Sequence, residues 1–112
     1  MVFLYVQTWV IASGKTREHE DIWVKLSQYM EAMTKPGKAP KDARVKWEYC
    51  SQRYGPMGAR VLIMELEDQT HYQKFWEFLN NDKGFIEIRD KWRELIDPNT
   101  WKAVFWDKIM PE

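Results

Sequence analysis

The stretch AlaArgValLeuIleMetGluLeu at residues 59–66 decides the fold, because its apolar side chains occupy both phases of a two-residue period. Successive side chains of a β-strand point to opposite faces of the sheet. Val61 and Ile63 therefore face one side, and Leu62 and Met64 face the other. A strand that is apolar on both faces must be covered on both, so this strand is predicted to lie in the centre of a sheet.

Three further strands follow from the same reasoning. Residues 2–11 are also apolar on both phases and predict a second central strand. Residues 44–53 alternate apolar with charged side chains, the pattern of an edge strand with one wet face. TyrGlyProMetGly at 54–58 is rich in turn formers and predicts an antiparallel hairpin with the 59–66 strand. The last strand is predicted at 101–109.

The first helix is predicted to begin at Thr16, its best cap candidate, and to end near Met33. Residues 34–43 contain two prolines, a glycine and several lysines, so they are predicted to form an exposed loop. Apolar residues of the helix recur at the spacing of one buried face. They are Ile22, Trp23, Leu26, Tyr29, Met30 and Met33.

A second helix is predicted to be capped by Asp68 or by Thr70, which forms a capping-box pattern with Gln73. AsnAsnAspLysGly at 80–84 breaks it. A short third helix is predicted from Phe85 to Ile96, where the following AspProAsn stops it. The apolar positions of these two helices are Tyr72, Phe75, Trp76, Leu79, Phe85, Ile88, Trp92 and Leu95 or Ile96.

The resulting order is βαββαβ with the second helix broken in two, the ferredoxin-like arrangement of an α+β protein. Right-handed crossovers put strands one and three in the middle, giving a four-stranded antiparallel sheet in the spatial order four, one, three, two. The helices of such a unit cover one face, and residues 1–112 form a single domain with nothing left to cover the other. A homodimer through the helix-free sheet faces is therefore expected.

Charge and cysteine content narrow the function classes. Seventeen basic and seventeen acidic residues cancel, which argues against nucleic acid or an anionic membrane as a partner. The apolar residues 1–11 are too few to span a bilayer, so the chain is expected to be soluble and cytoplasmic. The single cysteine, Cys50, excludes an internal disulfide and is expected to be a small buried hydrophobe.

Aromatic residues are the compositional anomaly, at 15% of the chain with seven tryptophans. Large rings with polar tips suit cores, interfaces and pockets for flat ligands alike. His19 and His71 stand near helix starts, where a solvated or locally hydrogen-bonded ring is expected. The sequence contains no tight metal-ligand cluster, glycine elbow or phosphate loop, so no metal, cofactor or catalytic residue is predicted.

Four segments carry a resemblance to the dimeric α+β barrel superfamily. They are the first strand, which runs through the Gly14 turn into an acidic helix start, GluLeuGluAspGlnThrHisTyrGlnLysPheTrpGluPheLeu at 65–79, AspLysTrpArgGluLeu at 90–95 and TrpLysAlaValPheTrp at 101–106. The chain resembles the antibiotic-biosynthesis monooxygenase and NIPSNAP-like families over nearly its whole length. That resemblance implies a range of activities, among them cofactor-free oxygenation of aromatic polyketides and haem degradation, and members without known activity.

Haem degradation is the less favoured implication. By resemblance, Gln7 stands where haem-degrading members have an asparagine, and Trp76 matches their helix tryptophan. The region after the helix break, where those enzymes carry the iron-binding histidine, reads PheIleGluIleArg. His71 lies at the opposite end of the helix, so the axial ligand is missing from its expected place.

The candidate ligand site lies between helices and sheet, with Gln7 as the buried polar group. A buried amide without a partner costs about 1–3 kcal/mol, so Gln7 must find a protein partner, a water or a ligand. One interpretation is an aromatic-lined cleft for a flat apolar molecule, in a possible cofactor-independent monooxygenase. The alternative is a filled core in a non-enzymatic dimeric module. The predicted ligand-binding residues are Gln7, Trp9, Trp23, Phe75 and Trp76.

Overall fold

The computed structural model describes residues 2–34, 45–52 and 57–109, which form a four-stranded antiparallel sheet and three helices. The strands are β1 (Val2–Ile11), β2 (Lys46–Ser51), β3 (Ala59–Leu66) and β4 (Ile96–Lys108). The helices are α1 (Thr16–Thr34), α2 (Gln69–Asn80) and α3 (Lys83–Arg93). The spatial order of the strands is β2-β3-β1-β4, so the predicted α+β fold with β1 and β3 in the centre is confirmed.

Alternating burial along the central strands separates the two faces of the sheet. On β3, Leu62 and Met64 are buried against the helices, while Val61 and Ile63 on the opposite face are only half covered. The buried residues of β1 are its odd-numbered ones, and Tyr5 pairs with Met64 in the antiparallel register. The core therefore lies between the sheet and the helices.

Two aspartates begin the second and third helices. The Asp68 carboxylate accepts a hydrogen bond from the His71 backbone N–H at 2.8 Å, so Asp68 is the cap and Thr70 lies within the helix. Asp82 caps α3 and also accepts the Tyr29 hydroxyl, which ties α1 to the start of α3. Gly84 makes this close approach possible, because a Cβ there would lie 2.5 Å from the Tyr29 oxygen.

The third helix and the last strand both begin earlier than predicted. α3 starts at Lys83 because Asp82 caps it, and it ends at Arg93. β4 starts at Ile96, which pairs with Ile11 across the sheet. Near this pair, one side chain satisfies backbone groups of both strands. The Thr100 hydroxyl accepts the Val10 N–H at 2.8 Å and donates to the Asp97 carbonyl at 2.7 Å. Pairing with β1 thus turns the predicted helix end into a strand.

The predictions for Cys50, for the 34–43 loop and for the 54–58 turn have different outcomes. Cys50 is exposed rather than buried, because β2 is an edge strand and this position faces away from the helices. α1 runs one residue past Met33, and the rest of the predicted 34–43 loop lies outside the described residues. The same holds for positions 54–56 of the predicted turn, although the antiparallel pairing of β2 with β3 is confirmed.

Candidate ligand-binding site

A cavity of about 890 Å³ lies between the helices and the sheet. That volume falls within the range of small-molecule sites. Aromatic and aliphatic side chains supply most of its walls, and polar groups of α2 and α3 join them. The lining consists of Tyr5, Gln7, Trp23, Leu26, Met30, Leu62, Met64, Tyr72, Gln73, Trp76, Glu77, Asn80, Phe85, Arg89, Trp92, Arg93, Ile96, Pro98 and Trp101.

Gln7 has a protein partner at the floor of this cavity. Its side-chain amide donates to the Tyr5 hydroxyl at 3.1 Å, which is possible because residues two apart on a strand share a face. Burial raises the pKa of Tyr5 to about 12, and the neighbouring Tyr72 adds to the shift. Burial also raises the pKa of Tyr72. Both phenols are therefore protonated at neutral pH. The hydroxyl hydrogen of Tyr5 faces Tyr72, so Tyr72 is the phenol that can donate to a ligand oxygen.

The five predicted ligand-binding residues divide into two groups. Gln7, Trp23 and Trp76 line the cavity together. Trp9 and Phe75 do not line it: their exposed fractions are 1% and 0%, and they pack behind it in the core. Their wide rings suit a core as well as a pocket, which is why the sequence pattern could not separate the two roles. Contact of any of the five with a ligand stays a prediction.

His19 is fully buried, contrary to the expectation of a solvated or locally bonded ring. Its Nε2 accepts two indole N–H groups, from Trp9 at 2.9 Å and from Trp92 at 3.1 Å. An imidazole nitrogen that accepts cannot carry a proton, so the ring is neutral with its proton on Nδ1. Burial lowers the pKa of His19, opposed by the Glu20 carboxylate. His71, in contrast, accepts the Glu67 backbone N–H locally, as predicted.

A charged group lies next to His19 at the edge of the interior. Arg60 binds the Glu20 carboxylate through Nη2 at 2.8 Å and Nε at 2.9 Å. The Tyr49 hydroxyl lies 3.1 Å from Glu20 Oε1. Burial raises the pKa of Tyr49, and the negative charge of Glu20 adds to the increase. His19 Nδ1 is 3.5 Å from Glu20 Oε1. This group fixes α1 to β2 and β3 behind the cavity.

Two arginines and one glutamate stand among the lining residues of α2 and α3. Arg89 donates from Nη1 to the Asn80 side-chain carbonyl at 2.8 Å, and its guanidinium lies 5.9 Å from the centre of the Phe85 ring. Its side chain is 23% exposed. Arg93 and Glu77 are exposed and complete the charged part of the lining.

The described residues offer no cluster of three or more His, Cys, Asp or Glu side chains suited to a metal ion. No described helix combines the length and the hydropathy needed to cross a bilayer.

Several lining residues were missed by the sequence reasoning although a local signal existed. Tyr5 stands two residues before Gln7 and therefore shares its face. Arg89 follows Phe85 by four residues and precedes Trp92 by three, the spacing of one helix face. The helical period alone does not tell a cavity wall from a solvated flank, so Arg89 was not among the predicted residues.

Comparison with known proteins supports the fold and leaves the activity open. No protein-family model and no curated protein matches the sequence. Among solved structures, a NIPSNAP family protein from Agrobacterium tumefaciens has a TM-score of 0.77 at 12% identity, covering 98% of this chain and 95% of that one. An uncharacterised NIPSNAP domain protein from Burkholderia xenovorans has a TM-score of 0.76 at 15% identity, covering 98% and 99%.

SnoaB, a cofactor-independent oxygenase from Streptomyces nogalater, has a TM-score of 0.65 at 15% identity, covering 99% of this chain and 98% of its own. The chain thus shares its fold with these NIPSNAP proteins and with SnoaB, as the resemblance implied. Identities this low concern the fold alone, so the reaction and the ligand have to be argued from the cavity.

Proposed function

We propose that the protein binds a small, flat, mostly apolar aromatic molecule in the cavity between helices and sheet. The observation that carries the proposal is the cavity of about 890 Å³ lined by Trp23, Trp76 and Phe85. Gln7 and Tyr72 bring polar hydrogens to its lining, where they would orient a ligand oxygen. Trp9 and Phe75 support the walls from behind.

We further propose cofactor-free oxygenation as the candidate activity. Its support is the shared fold with SnoaB, which is described as a cofactor-independent oxygenase. In such a reaction an electron-rich substrate reacts with oxygen directly, and the protein supplies desolvation and orientation. The protonated Tyr72 phenol, which accepts from Tyr5, would stabilise negative charge that develops on a substrate oxygen. Haem stays outside the proposal because the position expected for its iron ligand lacks a histidine.

The test of binding is a titration with hydroxylated polycyclic aromatics and haem, followed by tryptophan fluorescence. We expect saturable quenching by at least one hydroxylated aromatic, weakened about tenfold or more in Gln7→Leu and Trp76→Ala. Val24→Ala is the matched control, because Val24 is exposed on α1 and lies outside the cavity lining. Oxygen uptake with the tightest ligand, in the presence of a metal chelator, then tests the oxygenase activity.

The absence of saturable quenching by every compound would contradict the proposed cavity function. The alternative would then stand: a non-enzymatic dimeric module. A specific observation favours that second candidate. Trp23 stacks on Tyr49 with ring centres 4.3 Å apart, and Trp9 stacks on Trp23 at 5.6 Å, so much of the aromatic excess serves packing.

A homodimer through the helix-free sheet faces is part of the proposal. The helix-free face carries Val6, Val61 and Ile63 at its centre and Trp106, which is 59% exposed, towards its β4 edge. Charged side chains on β2 and β4 border this apolar band, the distribution of an interface with a polar rim. A free, exposed Cys50 fits the reducing cytoplasm as the proposed location.

Sedimentation velocity at micromolar concentration tests the dimer. We expect a dimer for the unmodified chain and a monomer for Val6→Lys, because Val6 lies between Ile63 and Val104 and a lysine there would place an unpaired charge in the apolar band. Val24→Lys adds the same charge on the exposed surface of α1 and should leave the dimer intact. A stable monomer of the unmodified chain would contradict this assembly.

A further inference from the structure

The buried side-chain nitrogens that lack a hydrogen bond of ordinary geometry are all donors. Among the described residues they are His19 Nδ1, Trp23 Nε1, Trp76 Nε1 and Arg89 Nε, and no side-chain oxygen joins them. His19 belongs to this set as a donor because its Nε2 accepts two indoles. These donors are enclosed by protein, so they act beside the cavity as uncompensated partial positive charges and not as direct hydrogen-bond donors to a ligand.

Three of these four donors belong to residues of the cavity lining. Trp76 lies beside the Tyr72 hydroxyl and lowers the pKa of that phenol against the effect of burial, so its N–H has a neighbour. Trp23 and Arg89 therefore carry the remaining unpartnered donors of the cavity lining. Trp23 is on α1 and Arg89 on α3, so the surplus of donors comes from two different elements around one cavity.

The charges of the cavity lining also favour an anionic ligand group. Arg89 and Arg93 are its cations, and Glu77 is its one carboxylate among the described residues. The Arg89 side chain is three-quarters buried, with Nη1 held by Asn80, and its Nε lies 3.7 Å from the carboxylate of Asp90. That distance exceeds a hydrogen bond, and Asp90 is exposed, so the guanidinium is only weakly neutralised.

From these donors and charges we propose that the natural ligand is a flat aromatic acid, whose carboxylate binds Arg89 while its rings lie against Trp23 and Phe85. This inference rests on the proposed binding function and adds the charge of the ligand to it. A planar guanidinium held at a cavity wall matches a carboxylate in shape, and charge-assisted hydrogen bonds are about twice as strong as neutral ones. A cationic ligand would instead face Arg89 and Arg93 without a matching pair of acids.

The test compares three ligands with the same ring system by isothermal titration calorimetry at pH 8. They are 2-naphthoate, its neutral amide 2-naphthamide, and the cation 2-naphthylmethylammonium. We expect 2-naphthoate to bind about tenfold more tightly than the amide, and the cation to bind more weakly than the amide. The amide keeps the shape and a carbonyl acceptor, so the difference measures the charge.

Substitutions then assign the preference to a residue. Arg89→Met keeps the apolar stem and should abolish the difference between acid and amide, whereas Arg89→Lys keeps the charge and should retain part of it. Arg17→Met removes an exposed arginine outside the lining and should leave the tenfold difference unchanged. Circular dichroism of each variant verifies that it is folded.

The outcomes separate this inference from the binding function beneath it. Equal affinities for acid and amide would overturn the anionic ligand. An acid preference that persists in Arg89→Met would overturn the binding of the carboxylate to Arg89. Either result would leave aromatic binding in place. No binding by any of the three compounds or by the hydroxylated aromatics would overturn both.

Discussion

The interior between helices and sheet has two ends that are built from the same residue types. One end is closely packed, and the other encloses the cavity. At one end, Trp9 and Trp92 donate to His19, and Trp9, Trp23 and Tyr49 stack on one another. At the other end, aromatic side chains of β1, α2 and α3 surround open space. Aromatic content therefore does not distinguish a core from a pocket.

The difference lies in how firmly hydrogen bonds and stacking hold the rings. His19 Nε2 is one acceptor for two indole donors, so the closed end holds its tryptophans in fixed positions. At the open end, Arg89 is held by Asn80, and the enclosed Trp23 and Arg89 donors lie beside the cavity as uncompensated positive charge. Trp23 and Trp92 belong to the closed end and also line the cavity. The closed end therefore serves as a rigid wall of the cavity.

The largest expected effect comes from removing the central ring of the closed end. Trp9→Ala should lower the free energy of unfolding by about 3–5 kcal/mol, because the ring is fully buried and the stacked neighbours cannot collapse onto the space. Urea denaturation measures this loss. Val24→Ala on the surface should change the free energy by less than about 0.5 kcal/mol. A loss below 1 kcal/mol for Trp9→Ala would show that this end is no more tightly packed than the cavity.

The next effect isolates the acceptor. His19→Leu should lower the free energy of unfolding by about 2–4 kcal/mol, because two indole N–H groups would be left buried without a partner. His19→Gln retains an acceptor oxygen and should lose less in the same urea titration. Equal losses for the two variants would mean that packing, and not the shared acceptor, stabilises this end.

A smaller effect is expected in the pH dependence of stability. Burial lowers the pKa of His19 below its ordinary value of 6.5, so the unfolded chain binds a proton that the folded chain does not. The contribution of neutral His19 is therefore complete above pH 6.5 and decreases as the pH falls below it. For one proton the slope is at most about 1.4 kcal/mol per pH unit.

The measurement is the free energy of unfolding of the unmodified chain and of His19→Gln from pH 7.5 down to about pH 4.5. The lowered pKa of Asp82, caused chiefly by its hydrogen bond from Tyr29, adds an acid-dependent loss common to both proteins. Subtracting one curve from the other removes that background. Parallel curves would show that His19 is protonated as readily in the folded chain as in the unfolded one.

The smallest effect belongs to the open end. Gln7→Leu should change the free energy of unfolding by about 1 kcal/mol or less, since it removes one neutral hydrogen bond to Tyr5, whose hydroxyl also interacts with Tyr72. The same urea series measures it beside His19→Leu. A loss as large as that of His19→Leu would mean that Gln7 is a structural residue and not a ligand-binding one.

Strand positions and helix faces were predictable because they depend on short periods. The two-residue period of 59–66 gave the central strand, and the alternation at Val45, Trp47 and Tyr49 gave the edge strand. The capping residue of α2 was left open between Asp68 and Thr70, since either side chain can accept a backbone N–H. The extended backbone of Asp68 decided between them.

The burial of His19 could not be predicted from neighbouring residues. It lies four residues before Trp23 and seven before Leu26, so the helical period includes it in the buried stripe. Its place near the start of the helix nevertheless indicated a solvated or locally hydrogen-bonded ring. Its partners are ten and seventy-three residues away in the chain, at Trp9 and Trp92, and no local pattern records that proximity.

The sequence by itself determined the order of the elements, which strands are central and which helix faces are apolar, because these depend on residues a few positions apart. Only the tertiary structure decided three further features. They are the protonation pattern of the His19 ring, the early start of β4 against β1, and the separation of a closed aromatic end from an open cavity. Each depends on the distance between side chains far apart in the chain, which the packing of helices on the sheet sets.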